Sequence, residues 1–241
     1  MKKILFLLMI GGAFSIAQAA SVFVDVYRDG EGRAGMNQYT SNAAAVLSLV
    51  DASGGDTPYT LKIVKSAGNF FNTTLAAVTP GEDDPGYYAY YQNKAAMEDL
   101  VNTLGSFDYG ALSSYMAPGA GGSTTSSIQL GGLTVGDTVT FYMFISSAAA
   151  APGATTVTGG TGFFEYAAAG GTGFSSTPSF TNGKLTLVKW TGEATADTLD
   201  FRIGGQKAGV AAMAFSVVPE PAAASMGLLG LAVMMVRRRR A

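Results

Sequence analysis

Through the middle of the chain, short runs of alternating apolar and polar residues are separated by turns rich in glycine, proline and aspartate. This is the period-two signature of strands with one buried face. Residues 21–27 place Val22, Val24 and Val26 on one side, and residues 28–32 turn the chain. Residues 45–50 and 59–65 read as two more strands across a turn at 51–58, the second with Leu61 and Ile63 opposite Lys62 and Val64. The strongest strand is 138–146, where Val139, Phe141, Met143 and Ile145 share a face. Tyr142 and Phe144 lie on its other face, so both faces are apolar and the strand is expected at the centre of a sheet. Residues 127–130, 184–190, 198–203 and 210–217 complete the set, with Asn182-Gly183 as a hairpin turn before Lys184.

Two regions break this pattern. Met97, Leu100, Val101 and Leu104 fall at helical spacing and Gly105 stops the run, which predicts one short helix over 95–104. Residues 80–86 must be loop, since two prolines and two glycines flank Glu82, Asp83 and Asp84, and 116–123 reads as a further Gly/Pro-rich turn region. Gly159-Gly160-Thr161-Gly162-Phe163 recurs as Gly170-Gly171-Thr172-Gly173-Phe174, read as two similar turns around a short hairpin. Two copies are too few for a solenoid. The expected fold is mainly β: a single antiparallel β-sandwich with one short helix.

The ends carry a different signal. Lys2 and Lys3 precede an apolar run over 4–14, and Ala17-Gln18-Ala19 supplies the small-x-small pattern of a signal peptidase site, with cleavage before Ala20. The protein is therefore expected to be exported, its N-terminal signal helix removed. At the other end, Pro219-Glu220-Pro221 leads into fifteen apolar or small residues, 222–236, and then Arg237, Arg238, Arg239 and Arg240. As a helix those fifteen residues span about 22 Å, short against a hydrocarbon core of about 30 Å. The arginines are expected to hold that end in the cytoplasm. The chain thus divides into a signal peptide (1–19), a β body (20–217) and a tail (218–241).

The tripeptide, the apolar stretch and the arginine cluster together resemble the PEP-CTERM sorting signal of Gram-negative bacteria that make extracellular polysaccharide. The resemblance implies recognition by a membrane-embedded exosortase that cuts near Pro219, Glu220 and Pro221, with Arg237–Arg240 as the cytoplasmic stop. It also implies brief tethering in the inner membrane, followed by release to the cell surface or extracellular matrix. Residues 128–145 and 210–217 resemble the jelly-roll sandwiches found ahead of such tails, several of which resemble carbohydrate-binding modules.

Composition narrows the chemistry of the body. With no cysteine and no histidine, disulfides, zinc–thiolate and imidazole metal sites, and every nucleophile–histidine pair are excluded. The net charge of −2 conceals an acidic body, nine Lys and Arg against sixteen Asp and Glu over 20–218. Nucleic acid is not an expected partner, because its phosphates require a basic face. No cofactor is expected. Glu82, Asp83 and Asp84 read either as a calcium loop or as a solvated acidic loop; adjacent carboxylates alone do not converge on a cation, which favours the second. Asp29 and Glu31 around Gly30 read the same way.

Tyr87, Tyr88, Tyr90 and Tyr91 follow the acidic loop and form either a sugar-stacking surface or a strand with one buried face. The leading expectation is a non-enzymatic surface or matrix protein associating with exopolysaccharide. Its partners are signal peptidase and an exosortase-type protease. A carbohydrate-binding module with a defined glycan site is the second reading and a glycan-active enzyme the third.

Overall fold

In a computed structural model of the chain, residues 19–27, 35–40, 46–65, 70–74, 93–108, 111–112, 114–118, 126–147, 155–180, 185–203 and 208–220 are described. In chain order they form β1 (Ala20–Tyr27), β2 (Asn37–Thr40), β3 (Leu47–Val50), β4 (Asp56–Lys65), β5 (Phe70–Thr74), α1 (Lys94–Leu104) and β6 (Ser114–Pro118). There follow β7 (Ser126–Gly131), β8 (Thr138–Ser147), β9 (Thr155–Thr158), β10 (Gly160–Ala167), β11 (Leu185–Ala194), β12 (Thr198–Ile203) and β13 (Ala208–Val218). The fold is mainly β, in two sheets with one short helix among the described residues.

The larger sheet runs β10-β11-β8-β13-β1-β2, with β6 paired to β13 and β5 to β6; the smaller runs β3-β4-β7-β12-β9. The alternation that marked β8 as central is realised: it lies between β11 and β13, with Phe141 opposite both Trp190 and Phe215. Every strand pair is antiparallel except β1–β2, which is parallel, so a purely antiparallel architecture is corrected at that edge.

One apolar cluster draws Val22, Val24, Phe141, Met143, Trp190 and Phe215 from the larger sheet, together with Leu61, Ile63, Ile128, Leu130, Leu199 and Phe201 from the smaller. Phe201 stacks on Phe141 at 4.5 Å and meets Trp190 edge-on at 5.5 Å. Side chains of this size stabilise the fold by about 1.5–3 kcal/mol each when fully buried.

The other face of the larger sheet carries Phe23, Tyr142, Phe144, Leu185 and Leu187, covered by Met97, Leu100 and Leu104 of α1. Ala211, Ala212 and Ala214 of β13 belong to the same cluster, and their short side chains let the helix lie close. Asn93 caps α1 by accepting the Ala96 N–H at 3.3 Å, and the Gly105 N–H closes the last turn on the Val101 carbonyl at 2.7 Å.

Several boundaries differ from the sequence pattern. β4 starts at Asp56, inside the segment read as turn, and it contains Pro58. The missing N–H is tolerated because the β3–β4 register shifts between Ser48 and Val50, and pairing with β7 begins only at Thr60. β6 occupies part of the 116–123 turn region, while β2, β5 and β9 are strands too short or too polar to read. The turns at 28–32, 80–86 and Asn182-Gly183 lie outside the described residues.

The two glycine-rich pentapeptides are not two similar turns. Residues 160–163 are the start of β10, paired from Gly160↔Ala194 to Phe163↔Thr191, whereas 170–174 is irregular. The signal and tail helices also lie outside the described residues.

Candidate functional site

β13, the last strand among the described residues, leads into the tripeptide expected to be a sorting motif. β13 ends at Val218, which is exposed; Pro219 is half-buried and Glu220 is exposed. β13 pairs with β1 so that Val217 lies opposite Ala20, and Ala19 just before it is exposed. The two junctions at which the chain is expected to be cut are therefore neighbours at one end of the larger sheet. That adjacency follows from register alone and could not be read from the sequence, where they stand some two hundred residues apart.

Of the residues singled out from the sequence, Ala17, Pro221, Arg237, Arg238, Arg239 and Arg240 lie outside the described residues. So do the candidate ligand surface Tyr87, Tyr88, Tyr90 and Tyr91 and the acidic residues Asp29, Glu31, Glu82, Asp83 and Asp84.

A second arrangement was not singled out from the sequence. On the helix-covered face of the larger sheet, Lys189 Nζ of β11 lies 2.9 Å from Asp99 Oδ2 of α1 and 3.7 Å from Glu165 Oε2 of β10. The Tyr142 hydroxyl donates to Asp99 Oδ2 at 2.8 Å and lies 3.1 Å from Thr103 Oγ1. Burial, more than the neighbouring carboxylate, drives the Tyr142 phenol far above its ordinary pKa. Lys189 Nζ also sits 5.2 Å from the Phe174 ring centroid and 5.7 Å from that of Tyr142. The signal was present in the alternation: Lys189 shares a face with Leu185 and Leu187, and a cation on a covered face requires a carboxylate from whatever covers it.

Beside this cluster is a shallow groove of about 300 Å³ lined by Tyr166, Gly171, Thr172, Phe174, Ser175 and Ser179. Its loop is fixed: Tyr166 and Ser175 exchange both backbone hydrogen bonds, at 2.8 and 2.9 Å, and Asn93 Nδ2 donates to the Gly173 carbonyl at 3.0 Å. Chemically, the cluster ties α1 to the sheet. Its cation is divided between two carboxylates and two aromatic rings, leaving it committed to structure.

Among the described residues no group of three or more acidic, histidine or cysteine side chains is placed to hold a metal ion, and no helix is long and apolar enough to cross a membrane. Comparison with protein-family models, with curated proteins and with solved structures gives no match.

Proposed function

We propose that this chain is an exported, non-enzymatic protein of the cell surface or extracellular matrix, delivered by a PEP-CTERM-type tail and associating with exopolysaccharide. Its body is an antiparallel β-sandwich of jelly-roll type, apart from the parallel edge at β2. The observation that carries the reading is the order of residues after β13: Pro219, Glu220, Pro221, an apolar stretch, then Arg237–Arg240, on a chain whose residues 1–19 read as an export signal. The prolines keep the motif out of helix and sheet, so it remains an extended substrate for a protease. The short apolar stretch suits a transient tether better than a permanent anchor, and the arginines orient it with the acidic body outside.

The test is the triple substitution Pro219→Ala, Glu220→Ala and Pro221→Ala in the producing cell. The variant is expected to accumulate in the inner membrane while the parent chain reaches the surface or medium. Equal release of both would overturn the sorting reading. Saturable binding to a defined oligosaccharide, lost on Tyr88→Ala or Tyr90→Ala, would replace a general matrix role with that of a carbohydrate-binding module.

A further inference from the structure

The end of the body from which the tail leaves is crowded. The connections 51–55, 132–137 and 195–197 all close there: the Ala52 N–H donates to the Ser21 carbonyl at 2.8 Å, Leu133 N–H to Asp197 at 3.1 Å and Gly136 N–H to Ala194 at 2.9 Å. No spacer separates these turns from the motif. Val218 is the last residue of β13, paired with Thr138, and two residues on the Glu220 side chain lies against the turn at Gly136 (φ +98°), where a methyl group would stand 2.9 Å from Glu220 Cδ. Two extended residues span only about 7 Å, less than the roughly 10 Å width of a single helix with its side chains. An enzyme that closes around residues 219–220 therefore has no room to do so without touching the turns.

Charge gives the partner's character. The charged residues in the described parts of this end are Asp51, Asp56, Asp137, Glu193, Asp197 and Glu220, and none of these turns holds Lys or Arg. Asp137 is buried and accepts the Thr134 N–H at 2.8 Å; Glu193, Asp197 and Glu220 are exposed.

We propose that this turn-bearing end is a docking face for the membrane-embedded protease that removes the tail, and that the protease meets it with a basic surface. The proposal rests on the sorting reading, and it adds that the enzyme reads the folded end of the body as well as the tripeptide. Docking favours a chain whose β1, β8 and β13 are already paired, because only then do the turns flank the motif.

The experiment follows conversion of the full-length precursor to the processed form by immunoblot in the producing cell. It compares the parent chain, the double variant Glu193→Lys with Asp197→Lys, each of these with eight Gly/Ser residues inserted between Val218 and Pro219, and the tripeptide-to-alanine variant. Both reversed side chains are exposed, so the body keeps its fold; protease resistance of the body checks this. Charge reversal is expected to slow processing roughly fivefold, through lost complementarity at the contact. With the insert, the reversed and unreversed chains are expected to be processed at equal rates, since the body end no longer reaches the enzyme. Reversal without effect would overturn the docking face, and so would a slowing that persists across the insert. Processing of the tripeptide-to-alanine variant at the parent rate would instead overturn the sorting reading itself.

Discussion

Gly159–Phe163 and Gly170–Phe174 have the same five residues and different structures. Both start alike, with Gly159 at φ 82° and Gly170 at φ 76°. The first copy then enters β10 and pairs with β11, continued by Phe164, Glu165, Tyr166 and Ala167. The second is followed by Ser175, Ser176, Thr177 and Pro178, which offer no apolar face to bury, and it is pinned as a loop by Asn93.

Beyond the positive φ that Gly159 and Gly170 share, the glycines serve different ends in the two copies. In the first they make room: a methyl on Gly160 would lie 3.0 Å from Trp190 Cη2, and one on Gly162 would lie 2.8 Å from Trp190 Cζ2 and collide with the Thr191 carbonyl oxygen. In the second they supply dihedral freedom, since Gly170 and Gly173 (φ 151°) have nothing within 4 Å of the missing Cβ. A glycine motif thus specifies neither strand nor turn; its neighbours decide.

The largest expected effect separates the copies at their fourth position. Gly162→Ala forces backbone apart and is expected to destabilise the body by about 3 kcal/mol, whereas Gly173→Ala costs only a left-handed side chain, about 1 kcal/mol. Urea denaturation of the purified protein measures both, and equal losses would show that close packing against Trp190 and Thr191 does not set Gly162 apart. The fifth position sharpens it. Phe163 is 59% exposed, while Phe174 packs against the outer cluster beneath Lys189. Phe174→Ala is expected to cost about 2 kcal/mol and Phe163→Ala less than about 0.5 kcal/mol.

A smaller effect tests the covered face beside the second copy. Burial raises the Tyr142 phenol above its ordinary value of 10.0, so its contribution is complete below pH 10 and is lost as pH rises beyond it, when the unfolded chain ionises first. Tyr39, Tyr59 and Tyr166 are shifted the same way by burial, so the whole body should lose stability in alkali. At pH 11 the parent is expected to have lost about 1.4 kcal/mol more than Tyr142→Phe, relative to pH 9. Thermal melts across that range read the difference, and parallel pH profiles would show that Tyr142 is not shielded.

The sequence carried β1, β8, β12, the helix and the apolar stripes of β4 and β11, because in each of these burial enforces a strict period. What escaped it was long-range or weakly patterned. β2, β9 and the Gly-rich start of β10 are strands through their partners, and Pro58 enters β4 only because of a register shift opposite it. Of the site, the tripeptide was legible as composition. The seat of Glu220 against Gly136 and the pairing of Val217 with Ala20 depend on the register of β13 with β8 and β1, which no local pattern encodes. Asp99 and Lys189 stand ninety residues apart and meet only through the packing of α1 on β11.

On the sorting reading, the body travels without either end. The intact mass of the protein recovered from the surface or medium of the producing cell tests this most directly. A species beginning at Ala20 and ending near Pro221, without Arg237–Arg240, is the expected result; a mass that retains residues 222–240 would contradict it.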